Sequence, residues 1–180
     1  MEIYGLVLPP CDEMRWPTDV KKVFQALDGS QNGYNWLITG HAFTVLPQEQ
    51  PDGSMERVLG RTMNWGAMEL FQNPTVWISG EELSEMIDEY PLQFVTGVFA
   101  AFPNGSTFNP WMLDSAPAGG ADELVAAREP RIRYPEAEIE IICDNMNRTV
   151  FLTKDVDSAK RFRALFPAAL DLRDYTEPAE

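Results

Sequence analysis

The pattern of apolar and polar positions divides this chain into short strands and amphipathic helices around one unusual run. Leu92 to Phe102 reads LQFVTGVFAAF, and it is apolar on both alternation sets. Leu92, Phe94, Thr96, Val98, Ala100 and Phe102 form one set; Gln93, Val95, Gly97, Phe99 and Ala101 form the other. A strand with one wet face alternates apolar with polar. This run therefore predicts a central strand covered on both faces. Gly97 marks a bulge or a close backbone approach within it.

The other elements follow from shorter patterns. Glu2 to Leu8 reads as a first strand, ended by Pro9-Pro10. Val20, Val23, Phe24 and Leu27 fall at i, i+3, i+4 and i+7, one stripe of a helix that starts near Pro17 and stops at Gly29. Tyr34 to Thr39 and Ala42 to Leu46 predict two strands of a hairpin turned at Gly40-His41. A polar loop covers residues 47 to 56, and Val58 to Phe71 fits either a short strand or a short helix. Ser79 with Glu82 three residues on has capping-box spacing. The helix it opens carries Leu83, Met86, Ile87 and Tyr90 on one stripe and ends at Pro91.

Residues 103 to 135 read as an irregular Pro/Gly-rich insertion, with short helices near Pro110 to Leu113 and Asp122 to Arg128. Loops of this length are often functional. Ala137, Ile139, Ile141 and Cys143 then alternate with Glu136, Glu138 and Glu140, which predicts a half-buried strand with an acidic outer face. Asp144 to Asn147 has turn chemistry, and Arg148 to Thr153 returns as a strand. A last helix is capped by Asp155 or Asp157, with Val156, Ala159, Phe162 and Phe166 facing inward, and Leu170 to Leu172 suits an edge strand. The whole predicts a single α+β domain, a mixed or antiparallel central sheet with about three helices packed on it.

Composition changes this picture in one respect. Across 180 residues, 14 Lys plus Arg stand against 28 Asp plus Glu, a net charge of −14. Such a surface repels nucleic acids and anionic membranes and attracts basic proteins. No basic n-region or apolar h-region opens the sequence, and no run approaches the ~20 apolar residues of a membrane span, so the expectation is a cytoplasmic protein. Cys11 and Cys143 lack CxxC spacing, and Cys143 suits a buried thiol.

Candidate chemistry is sparse. His41 is the only histidine, which excludes HExxH, and it reads as a turn or core residue. No GxGxxG, GxxxxGK[ST] or GxSxG occurs. No catalytic residue, metal ligand or cofactor is assigned. The residues singled out for binding are Glu136, Glu138 and Glu140, spaced about 7 Å apart along one strand face, the helix acids Glu81, Glu82 and Glu85, and Trp111. Trp65 and Phe71 are further aromatics suited to partial exposure. Arg128, Arg131 and Arg133 suit an anion, or internal pairing with Glu129, Glu136 and Glu138.

Three segments, YNW at Tyr34 to Trp36, SGEEL at Ser79 to Leu83 and VFAAFPNG at Val98 to Gly105, resemble an uncharacterised bacterial family, domain of unknown function 2691. The order of elements from Glu138 to Phe166 is similar to that family's second half, while the long stretch 103 to 135 departs from it. The resemblance implies the order of elements and a bacterial setting, and it brings no activity. The functional expectation is a non-catalytic acidic protein that binds a basic protein partner, foremost an immunity protein that neutralises a bacterial toxin. The alternatives are an accessory or regulatory protein, or an enzyme with a carboxylate-based site.

Overall fold

A computed structural model describes residues 2–14, 18–46, 48–49, 55–56, 72–110 and 120–176. Its main sheet has the strand order β5-β2-β6-β7-β8-β1-β9, with every pair antiparallel. The strands are β1 (Tyr4–Leu8), β2 (Tyr34–Val45), β5 (Thr75–Ser79), β6 (Leu92–Pro103), β7 (Ile139–Asp144), β8 (Arg148–Thr153) and β9 (Leu170–Asp171). A separate pair, β3 (Gln48–Glu49) and β4 (Met55–Glu56), forms a two-residue ladder inside the stretch read as polar loop. Four α-helices have described bounds: α1 (Val20–Leu27), α2 (Gly80–Glu89), α3 (Asp122–Ala127) and α4 (Val156–Leu165). This is a single α+β domain, and of the two expected sheet types it is the antiparallel one. The region Val58 to Phe71, with Trp65 and Phe71, and the helix proposed at Pro110 to Leu113 lie largely outside the described residues.

β6 is an interior strand between β2 and β7, and it is covered on both faces as its sequence predicts. The expected alternation breaks once, however. Phe94 packs on the same face as Phe99 and Ala101, whereas Val98, Ala100 and Phe102 pack on the other. The parity changes where the β2–β6 register shifts, around Ala42 opposite Thr96. Gly40 takes φ 56 there, and a Cβ on Gly97 would sit 3.3 Å from that of His41. Gly40-His41 therefore does not turn the chain. It distorts one continuous twelve-residue strand, and the hairpin reading is corrected accordingly.

Helices α1, α2 and α4 cover one face of the sheet. Val23, Phe24, Leu83, Met86, Phe162 and Phe166 meet Leu6, Trp36, Phe99, Ile141 and Phe151 there. The opposite face is covered by α3 and the irregular segments beside it, through Leu124, Val125, Ile132 and Tyr134. Phe108 adds a ring stacked 4.0 Å from Phe102. The described parts of the 103 to 135 insertion are thus a layer of the core. Val156 departs from its expected inward role, because it begins α4 on the outer side and remains 38% exposed.

Local caps match their sequence signals. Ser79 Oγ accepts from the Glu82 N–H at 3.2 Å, while Glu82 Oε2 accepts from the Ser79 N–H at 3.2 Å, a full capping box. Asp155 caps α4 through the N–H groups of Asp157 and Ser158. Asn145 and Met146 take positive φ, 47° and 60°, in the tight β7–β8 connection.

Candidate functional site

The six acids singled out for binding are redistributed by the fold. The clearest correction concerns β7. All six of its residues are buried, so the half-buried strand with an acidic outer face does not exist. Glu136 and Glu138 precede the strand, the first exposed and the second half-buried with Lys154 Nζ 3.9 Å from its Oε1. Glu140 points under the insertion, and its side chain is 0% exposed. The alternation of Glu140 with Ile139 and Ile141 is real, but the second face is closed by a layer that periodicity does not reveal.

Glu140 is held by Arg133. The Arg133 backbone N–H donates to Oε2 at 2.9 Å, and Nε lies 3.3 Å from Oε1 without hydrogen-bond alignment. Burial pushes the Glu140 carboxyl up to about 7, with the charges of Arg133 and Arg131 opposing the rise. Arg133 Nη2 also donates to the Gly120 carbonyl at 2.5 Å. Internal pairing of this arginine was anticipated, but with Glu129, Glu136 or Glu138; the partner is Glu140 instead. A second arginine, Arg148, donates from Nε to Asp144 at 2.6 Å and from Nη2 to Asp122 at 2.5 Å. These two arginines pin the start of α3 to the sheet. Cys143 is fully buried and its thiol is pushed well up by burial.

The acids of α2 remain on the surface. Glu81, Glu82, Glu85, Asp88 and Glu89 are exposed, while Leu83, Met86 and Ile87 face the core. Glu82 is engaged in the capping box. Glu81, Glu85 and Glu89 repeat at i, i+4 and i+8, so they form one ridge. The helix itself carries no basic residue. Trp111 lies outside the described residues.

Beside this ridge, a cleft of about 340 Å³ lies between α1 and α2. Lys21, Gln25 and Asp28 of α1 and its end face Ser84 and Asp88 of α2, with Phe24 and Ile87 between them. The 3-10 turn Ser30–Gly33 closes the cleft through Gln31. That turn is held from three sides. Trp36 Nε1 donates to the Gln31 carbonyl at 3.1 Å. Gly80 lies so close that a Cβ there would sit 2.0 Å from the same carbonyl oxygen. The Asn104 N–H donates to the Gly33 carbonyl at 3.2 Å. Trp36, Gly80 and Asn104, from three separate segments of the chain, thus converge on one turn. Sequence reasoning missed this cleft, because Gln31, Ser84 and Asp28 have no motif spacing.

Among the described residues, no group of three or more His, Cys, Asp or Glu is placed to hold a metal ion, and no helix is long and apolar enough to cross a membrane. No protein-family model matches the chain, and no curated protein or solved structure matches it either.

Proposed function

We propose that this protein is a non-catalytic acidic binding protein that engages a basic protein partner, with neutralisation of a toxin domain as its foremost role. The observation that carries this reading is the acidic ridge of α2. Like charges at i, i+4 cost a helix about 0.2–0.5 kcal/mol each, while Glu81 and Glu82 lie in the first turn, where the macrodipole favours acids. No basic residue occupies the last turn. A basic partner laid along this ridge would offset the repulsion between Glu81 and Glu85. A surface of this sign also accelerates association with a basic cleft.

The carboxyl with a pKa near neutrality, Glu140, supports binding over a carboxylate-based reaction, since it is sealed beneath the insertion instead of lining the α1–α2 cleft. The test is affinity capture of the tagged protein in host lysate at low and moderate salt. One stoichiometric basic protein, released steeply by salt, is the expected result. Glu81→Lys with Glu85→Lys then weakens the purified complex and flattens its salt dependence. Unchanged affinity in that double variant would remove α2 from the interface.

A further inference from the structure

We propose that the layer over β7 is a proton-controlled cover: α3 and residues 129 to 134 stay clamped on the sheet while the Glu140 carboxyl is protonated, and open locally far more often once it ionises. The inference concerns the face of the sheet opposite α2. It holds whether or not α2 engages a basic partner.

The geometry puts the carboxyl where a charge is hard to hold. Glu140 sits mid-sheet, between Ala100 of β6 and Leu152 of β8, and its side chain is 0% exposed. Oε2 accepts the Arg133 N–H at 2.9 Å, whereas Oε1 is buried without a hydrogen bond. The Arg133 guanidinium passes Oε1 with Nε at 3.3 Å and gives Nη2 to the Gly120 carbonyl. An ionised carboxylate asks for donors at both oxygens, while a protonated one is itself a donor. Ionisation thus leaves a buried charge under-satisfied, and access to water relieves that cost. The neighbours β6 and β8 offer no charge at Ala100 and Leu152. Residues 129 to 134 bring Arg131, Arg133 and the Tyr134 phenol. Burial outweighs both arginines and holds the Glu140 carboxyl at about 7. Asp122 and Glu123 of α3, with Glu129 and Arg131, line a cleft of about 590 Å³ on the outer side of the layer. Arg133 both lines that cleft and meets Glu140, so its displacement admits water to the carboxyl.

The cover is also light enough to open without the rest of the fold. α3 has six residues and no side-chain cap at Ala121, and it ends at Arg128 with φ 53. Its tie through Arg148 ends on Asp122, an exposed carboxylate, and ties of that kind are weak. Short elements of this kind open below the global unfolding transition. Opening returns the Glu140 carboxyl from about 7 to its ordinary 4.5. The closed cover therefore keeps this contribution in full below pH 4.5 and loses it as pH rises through 7. Between pH 5 and pH 8 that linkage raises the opening constant about 70-fold.

The test is amide hydrogen exchange of the full ¹⁵N-labelled chain from pH 5 to pH 8, with each rate divided by the intrinsic rate at that pH. The reporters are the Val125, Arg128 and Arg133 amides, which bond to the Ala121 and Leu124 carbonyls and to Glu140. They are expected to exchange through a more populated opening than the Ile38 and Phe99 amides of the central strands. That opening is expected to rise about 70-fold across the range. Glu140→Gln keeps the shape and removes the proton, so the rise disappears, while His41, the only histidine, still titrates. The ¹³C shift of the Glu140 carboxyl in the unaltered protein needs no variant, and its midpoint is expected well above 4.5. Three results would each overturn the proposal: layer amides that exchange only together with Ile38 and Phe99, the same rise with pH in Glu140→Gln, or a Glu140 carboxyl that titrates at its ordinary value.

Discussion

The two faces of the sheet are covered by different means. On one face, α1, α2 and α4 bring regular apolar stripes, and rings stack directly, with Phe151 and Phe162 at 4.5 Å and 6°. On the other, six-residue α3 and irregular segments do the same task with fewer turns of helix. That layer also packs rings, with Phe108 4.0 Å from Phe102, and it is pinned in addition by polar side chains. Arg133 reaches Glu140 and Gly120, and Arg148 reaches Asp144 and Asp122. The helical cover is held chiefly by apolar stripes, whereas the irregular cover adds buried polar and titratable ties to its apolar contacts. The first should therefore be indifferent to pH, and the second should not.

The largest test falls on the helix face. Phe162→Ala is expected to cost about 3–5 kcal/mol by urea denaturation, by the same amount at pH 5 and pH 8. A strong pH dependence there would erase the contrast.

Next comes Glu140. Its carboxyl is raised from 4.5 to about 7 in the fold, so its contribution to stability is fully present below pH 4.5 and is lost as pH rises through 7. Relative to wild type, Glu140→Gln is expected to be matched near pH 4.5 and more stable near pH 8.5 by roughly 3 kcal/mol. Parallel urea curves across that range check it, and a flat difference would mean the buried pair does not titrate as its surroundings imply.

A smaller effect distinguishes the helix starts. α2 is capped by Ser79, and Ser79→Ala should cost ~1 kcal/mol. The residue before α3 is Ala121, which gives no side-chain cap, and that helix is tied by Arg148 to Asp122 instead. Because Asp122 is 84% exposed, Asp122→Asn should cost less than about 1 kcal/mol globally while speeding amide exchange within α3. Equal global losses from the two changes would count against different modes of attachment.

Much of the helix-covered half was legible in the chain. The stripes of α1 and α2, the Ser79–Glu82 box and the Asp155 cap depend on spacings of three and four residues, which local geometry makes reliable. The acids of α2 are exposed for the same reason. The irregular half was harder to read. Glu140 alternates with Ile139 and Ile141 as a solvent-facing residue would, and only the layer laid over it makes it buried. Gly40-His41 has the composition of a turn, yet pairing of β2 with β6 on both sides of it keeps the chain extended.

What the sequence determined by itself was therefore the set of local elements, their caps, the two-sided burial of β6 and the excess of negative charge, because each depends on neighbours along the chain. Only the tertiary structure decided which face the insertion would close, which carboxylate Arg133 would meet, and that Asp28, Gln31 and Asp88 would share one cleft. Those outcomes join residues from separate elements, and their energies come from burial and charge pairing that exist only once the layers are in contact.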